Sequence, residues 1–389
     1  IIGLPRSLSL IQDLILDVLC LRRCIPSIYL IKRKERLPWG ALHGWTPPFY
    51  RSDFKRKVLL YGFVDSDTSP WSYKVIAYEP ETNTWFGPYY IGDAGANDAH
   101  WSPGLGALPD GRLVVMWGYE CEAKYRISTY SLKEESDIEK VLTNWGPTKT
   151  LTSYQTAYPR FIMWEDRTLL IIRHGVACDG YPELWKWDQG DTEFKLIGKF
   201  CDLTTEYEYP ALTKFGDKVL AIWKKYPGCK EPKQNVYFAW SPDKGNTWKL
   251  YDGTTVSLPL GENALVKATD QGYVAGSCVL DFNNRPMIRV AKRLGLPDLK
   301  KFELPQYLVY YTKALGESGG SWEMEPLQIA TGQLRCPGQL YRDTKNECLG
   351  IYTVDKGNDT YCKFLEGEGA ERIWIRVKHC LLYTSDAAD

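Results

Sequence analysis

A chain of 389 residues with 48 basic and 48 acidic side chains has no net charge, which removes the bulk electrostatic case for binding nucleic acid or an anionic membrane. Its 15 Trp, 26 Tyr, 33 Gly and 23 Pro favour many short strands joined by turns over a helical protein. Eleven Cys without a C-x-x-C pair and only four His argue against a zinc module, and the scattered cysteines fit core thiols as readily as disulfides.

Residues 7–31 are rich in Leu and Ile but carry Asp13, Asp17, Arg22 and Arg23, a charge density unlike that of a membrane span. No n-region, clean apolar stretch or small-residue cleavage site reads as a signal peptide. Residues 1–36 are therefore set apart as an extension, either an extra helix or upstream read-through.

From residue 37 onward a weak repeat runs through the chain. Val58–Trp85 holds two apolar strands, Val58–Val64 and Lys74–Tyr78, then a polar turn ending on Trp85. Ser102–Trp145 holds a Pro-led strand from Pro103 to Leu108, the turn Pro109-Asp110-Gly111, and strands from Arg112 and Tyr125. Tyr158–Phe194 repeats this with Thr168–Arg173 and Glu183–Trp187. Tyr209–Trp248 has Lys218–Trp223 and Asn235–Trp240. It closes on Ser241-Pro-Asp-Lys-Gly-Asn-Thr-Trp248, which matches S-x-D-x-G-x-T-W, the Asp-box hairpin of sialidase-like and BNR-repeat β-propellers. In such a turn Ser241 precedes Asp243, whose carboxylate accepts backbone N–H groups. Gly245 supplies a positive φ, and Thr247 and Trp248 re-enter a strand, where the indole covers the edge. The motif belongs to architecture, away from any active site. A fifth unit spans Asn263–Trp322, with a degenerate box at Gly316–Trp322, and a sixth starts at Gln339. The last ten residues, Cys380–Asp389, resemble translated sequencing adapter, as in an assembled environmental read cut near His379, and are set apart from the fold.

Units of about 45–60 residues with roughly four strands each predict an all-β chain, a β-propeller of four-stranded blades over residues 37–379. Six blades are visible; a seven-bladed ring with its last blade cut short is expected, with a ring of six as the alternative. A double β-sandwich would not recur in this register. The charge runs Lys55-Arg56-Lys57, Glu134–Glu139 and Lys300-Lys301 read as solvated loops.

Propeller sites lie over the central channel, so the residues leading into each first strand are the candidates. His100 precedes Pro103, Tyr158 precedes Pro159 and Tyr209 precedes Pro210, at matching positions in three units. Arg173 ends the second strand of its unit, as Tyr119 follows that of the preceding one. Bland readings stand beside these: a turn histidine, tyrosines packed between blades, a surface arginine and a solvent-facing His174. Trp101, Trp117 and Trp164 fit inter-blade packing, although Trp also stacks on sugar rings. Asp98, Glu120, Asp179 and Glu208 share the rim, and no spacing selects an acid/base pair among them.

Residues 40–379 resemble the BNR-4 family, a propeller group that includes ulvan-lyase-like polysaccharide lyases. The matching segments are Asn97-Asp-Ala-His-Trp-Ser-Pro103, Leu108–Val115, Lys124–Ser128, Thr156-Ala-Tyr-Pro159, Leu169–Arg173 and the Ser241–Trp248 box. The resemblance implies that His100, Tyr158 and Arg173 act together in β-elimination of a uronate-containing acidic polysaccharide. Arg173 would neutralise the carboxylate, and His100 and Tyr158 would share proton transfer. Asp98, Trp101, Tyr119, His174 and Tyr209 would line the substrate subsite. A second family histidine falls on Tyr119 here, and a family His-Pro falls on Tyr226-Pro227. Family analogy also implies a secreted or cell-surface protein, and a monomer with no membrane span is expected. The chemistry requires no cofactor, and no residue pattern decides whether a structural metal is bound. The rival enzyme class, a sialidase-type hydrolase, would need an arginine triad with its F/Y-R-I-P signature, which is absent. The non-enzymatic rival is a glycan-binding or scaffold propeller with an aromatic rim.

Overall fold

The computed structural model describes residues 49–65, 70–95, 101–118, 121–175, 180–201, 206–226, 234–267, 273–281, 283–292, 306–327, 334–343, 348–355, 360–366 and 375–377. The extension at 1–36, the Lys300-Lys301 run and the segment 380–389 lie outside them.

The described residues form antiparallel blades in chain order. Blade one is β1 (Leu59–Asp65), β2 (Ser72–Glu79) and β3 (Thr84–Asp93). Blades two and three share one seven-stranded sheet: β4 (Gly104–Ala107), β5 (Arg112–Trp117), β6 (Cys121–Ser131), β7 (Lys149–Met163), β8 (Arg167–His174), β9 (Tyr181–Asp188) and β10 (Lys195–Lys199). The long β7 joins them, because its first half pairs with β6 and its second half with β8. Blade four is β11 (Glu206–Phe215), β12 (Lys218–Tyr226), β13 (Gln234–Ser241), β14 (Trp248–Lys249) and β15 (Thr255–Val256), with β16 (Leu265–Lys267) added to β13. Blade five is β17 (Tyr273–Leu280), β18 (Pro286–Lys292), β19 (Gln306–Tyr311) and β20 (Glu323–Leu327). Blade six is β21 (Leu334–Asp343), β22 (Cys348–Asp355), β23 (Thr360–Glu366) and β24 (Ile375–Val377). First strands neighbour one another in succession, β1 on β4, β4 on β7, β7 on β11, β11 on β17 and β17 on β21, which is the arrangement of a β-propeller.

The apolar interior lies in seams between blades, and each middle strand feeds two of them. Leu113 and Val115 of β5 face blade one, whereas Val114 and Met116 face blade three. Leu170 and Ile172 of β8 face blade two, whereas Leu169 and Ile171 face blade four. Val219, Ala221 and Trp223 face blade three, and Leu220 and Ile222 face blade five. Side chains alternate along a strand, so burial of both faces demands a continuous apolar run. The aromatic residues fill these seams: Phe200, Trp223 and Trp248 are all but fully buried, with Phe200 edge-on to both indoles at 5.3 and 4.9 Å. Each such ring contributes roughly 2–3 kcal/mol through burial.

The Ser241–Trp248 turn has the geometry its spacing predicts. Asp243 accepts from Thr247 N and Thr247 Oγ1, each at 2.8 Å, and from Ser241 Oγ at 2.9 Å. Gly245 adopts φ 85° and donates its N–H to Ser241 Oγ at 2.8 Å. The turn also binds the neighbouring blade: Arg167 donates to Asn246 Oδ1 at 2.6 Å, and Lys244 Nζ reaches Asp166 at 2.6 Å. Among the described residues, Cys121 and Cys278 are free thiols, and burial pushes that of Cys278 well up.

One expectation needs correction. The 134–139 charge run is not loop throughout, because a short helix, α1 (Ile138–Thr143), begins within it. Asp137 caps it by accepting from Lys140 N at 3.1 Å, and Ile138, Val141 and Leu142 bury its inner face against blade one. The Lys55–Lys57 run is a solvated loop, as expected, and its side chains tie it to neighbours: Arg56 forks onto Glu79, Lys57 pairs with Glu81, and Lys55 donates to the Glu134 carbonyl.

Candidate active site

A recurring irregularity shapes the candidate face. The first strands β7, β11, β17 and β21 each carry a register break, at Ala157/Arg160, Glu208/Ala211, Ala275/Ser277 and Cys336/Gln339. In β7 and β11 the break holds the Tyr-Pro pairs Tyr158-Pro159 and Tyr209-Pro210. Proline has no N–H to give a ladder, so a bulge is where a sheet tolerates it. Tyr158 sits there with φ 63°, in the left-handed region that a bulky residue rarely occupies. Backbone held in this way costs of order 1–3 kcal/mol and clusters at functional sites.

Antiparallel pairing sets Ala157 opposite Arg173, and Arg173 opposite Pro182. The corner of β7, the end of β8 and the start of β9 therefore lie together on one face of blade three. Arg173 is buried at 6% exposure, with Cζ 6.0 Å from the centroid of the Tyr158 ring, itself 7% exposed. Gly180 makes room for the guanidinium, because a Cβ there would come 2.3 Å from Arg173 Nε.

His174 follows Arg173 and so turns to the other side of the sheet, continuing the Leu170–Ile172 row toward blade two. Its ring is stacked between Tyr154 and Tyr181, with centroids at 3.8 and 4.5 Å. Its Nδ1 lies 3.1 Å from Glu183 Oε1. Glu183, buried at 4% exposure, also accepts from Tyr154 Oη at 2.5 Å and from Trp185 Nε1 at 3.3 Å. Burial, reinforced by the bond to Glu183, holds the Tyr154 hydroxyl well above the usual tyrosine range. Burial likewise raises Tyr181, over whose ring Lys199 Nζ sits at 4.5 Å.

The structure thus brings Tyr158 and Arg173 together and turns His174 toward the neighbouring seam. Trp101 is half-buried against the seam between blades one and two, its ring lying where a Gly95 side chain would be, which is the packing role. Trp117 and Trp164 pack likewise; the Trp164 indole donates to the Gly216 carbonyl at 2.7 Å. The backbone of Tyr209 holds the bulge position equivalent to that of Tyr158. Asp98, His100 and Tyr119 lie outside the described residues, as do Glu120 and Asp179. Sequence reasoning missed Tyr154 and Glu183 as members of a cluster. Alternation sets Tyr181, Glu183 and Trp185 on one face of β9, and the pairing of Tyr181 with His174 and of Glu183 with Ile172 makes it the face of His174. Among the described residues no group of three or more His, Cys, Asp or Glu is placed to hold a metal ion, and no helix is long and apolar enough to cross a membrane.

The Ser241–Trp248 turn lies far from this face, because it grips Arg167 at the start of β8 while Arg173 and His174 end it, roughly 20 Å along the strand.

Comparison with known proteins gives a match between residues 49–324 and the model for BNR repeat-containing family members. The search of curated proteins gives no match. Among solved structures, an ulvan lyase described as a new family of polysaccharide lyase, bound to -[GlcA(1-4)Rha3S]-, superposes with TM-score 0.65 at 15% identity, over 85% of this chain and 81% of that one. The polysaccharide lyase Uly1 superposes with TM-score 0.65 at 16% identity, over 90% and 84%.

Proposed function

Because this chain belongs to the BNR repeat-containing family, we propose that it is a carbohydrate-active propeller, a polysaccharide lyase that cleaves a uronate-containing glycan by β-elimination. The observation that carries this reading is the buried Arg173 guanidinium beside the ring of Tyr158, on a strained backbone corner at the end of blade three. A buried cation with a phenol at its side suits an anionic sugar whose charge grows during reaction.

In the proposed step a base removes the C5 proton of the uronate. The electron pair forms the C4–C5 double bond, and the C4–oxygen bond breaks as an acid protonates the departing sugar oxygen. Arg173 stabilises the enolate-like carboxylate formed on the way. His100 and Tyr158 supply proton transfer, while Tyr119, Tyr209 and Asp98 line the subsite. The same reading makes the chain an exported monomer acting on an acidic polysaccharide. It is supported by the likeness in fold to two polysaccharide lyases.

A binding propeller without turnover is the second reading, favoured by Tyr119 standing where the family carries a second histidine. Ultraviolet absorbance from unsaturated uronates, followed on a panel of acidic polysaccharides, separates the two. A rise that vanishes in His100→Ala and Tyr158→Phe supports the lyase; a rise unchanged in both removes these residues from the chemistry.

A further inference from the structure

The cluster on the blade-two side of β8 has no part in the elimination above, yet it is costly to build. Among the described residues, the hydrogen-bond partners of the buried Glu183 carboxylate are a phenol, an indole and an imidazole, with no Lys or Arg. A buried charge without a strong partner is a liability unless the hydrogen bonds around it serve a purpose. Both faces of the His174 ring are taken by Tyr154 and Tyr181, and Lys199 covers Tyr181 in turn. His174 therefore offers a sugar no ring face, only its edge. A carboxylate only accepts, so the contact with Glu183 puts the imidazole proton on Nδ1 and leaves the lone pair on Nε2. The His174 side chain is 26% exposed and follows directly on Arg173 at the rim of the blade.

We propose that Glu183 is a positioning residue that fixes His174 as its Nδ1–H tautomer, making Nε2 a hydrogen-bond acceptor for a sugar hydroxyl. The sugar concerned is the unit next to the one whose carboxylate meets Arg173. Consecutive residues of β8 then address consecutive units of one glycan from the two sides of the blade. The inference rests on the glycan reading and is independent of whether the chain cleaves what it binds.

The test uses the full chain, 15N-labelled, with long-range 1H–15N spectra recorded at about pH 8, where free imidazole is neutral. His174→Phe assigns the signals and keeps a ring between the two tyrosines. The wild-type His174 signals are expected to show a protonated Nδ1, and in Glu183→Gln this preference is expected to weaken. With an acidic oligosaccharide, His174→Phe is expected to raise Kd or KM about five- to tenfold with kcat within about twofold, the size of one neutral hydrogen bond. An Nε2-protonated tautomer in the wild type, or unchanged Kd and KM in a folded His174→Phe, overturns the proposal. If Glu183→Gln does not fold, the wild-type spectrum and His174→Phe still decide. A folded wild-type chain that neither binds nor cleaves acidic glycans overturns the glycan reading and this subsite with it. Binding that is sensitive to His174→Phe without any cleavage upholds the subsite and removes only the lyase.

Discussion

The guanidinium carbon of Arg173 lies 6.0 Å from the ring centroid of Tyr158, although the two residues belong to different strands and are separated by a bulge that breaks their register. Neither residue is more than a tenth exposed. Their meeting depends on two local conditions: the left-handed backbone of Tyr158, and the missing side chain at Gly180 against which Arg173 lies.

The first prediction follows from Gly180. Gly180→Ala places a methyl group 2.3 Å from Arg173 Nε and 2.7 Å from the His174 carbonyl, so the guanidinium must move. Uronate elimination is expected to fall at least tenfold in Gly180→Ala and about 10²–10³-fold in Arg173→Ala. Arg173→Lys is expected to recover little, because an ammonium lacks the planar fork that matches a carboxylate. Steady-state kinetics on one acidic polysaccharide, with unfolding curves for each variant, provides the check.

Tyr158 separates backbone from chemistry. Tyr158→Phe keeps the ring and the corner, and is expected to cost no more than about 1 kcal/mol of stability while elimination drops about 10²-fold or more. Tyr158→Val puts a β-branched residue at φ 63° and is expected to lower stability by about 2 kcal/mol or more. Denaturant titrations of the two variants give the comparison.

The Ser241–Trp248 turn carries a pH-dependent contribution. Desolvation pushes the Asp243 carboxyl up, but hydrogen bonds from Thr247 and Ser241 outweigh it, and the carboxyl ends below the usual aspartate range. A folded value below the unfolded one contributes stability above about pH 4, lost as the pH falls through the folded value. Asp243→Asn is therefore expected to be about 1 kcal/mol less stable at pH 7, with the gap to wild type narrowing toward about pH 2. A gap that stays constant with pH would contradict the assignment.

Gly245 has two reasons to be glycine. Its φ is 85°, and a Cβ there would meet Leu169 Cδ1 of the neighbouring blade at 2.7 Å. Gly245→Ala is expected to cost about 1–3 kcal/mol, with elimination unaffected at temperatures where the chain stays folded, because the turn meets the start of β8 and Arg173 stands near its other end. Thermal unfolding and activity measured on the same sample check both halves.

The turn at Ser241–Trp248 was legible because its hydrogen bonds join residues within eight positions of each other. The middle strands were legible because burial on both faces leaves unbroken runs such as Leu169–Ile172. Helix α1 was obscured by its own acidic lead-in, although Asp137 followed by Ile138, Val141 and Leu142 carries a cap and a helical apolar spacing. The Glu183 cluster was illegible in a different sense, because Tyr154, His174 and Glu183 sit on three strands and only the register of β7, β8 and β9 brings them together. Even so, strand alternation alone requires adjacent Arg173 and His174 to face opposite ways.

The most direct measurement is the ultraviolet absorbance of unsaturated uronates released from acidic polysaccharides by the wild-type chain and by Arg173→Ala. A rise in the wild type that is lost in a folded Arg173→Ala is the predicted result. A rise of equal rate in both would contradict the central claim that the Arg173–Tyr158 corner is where an acidic sugar reacts.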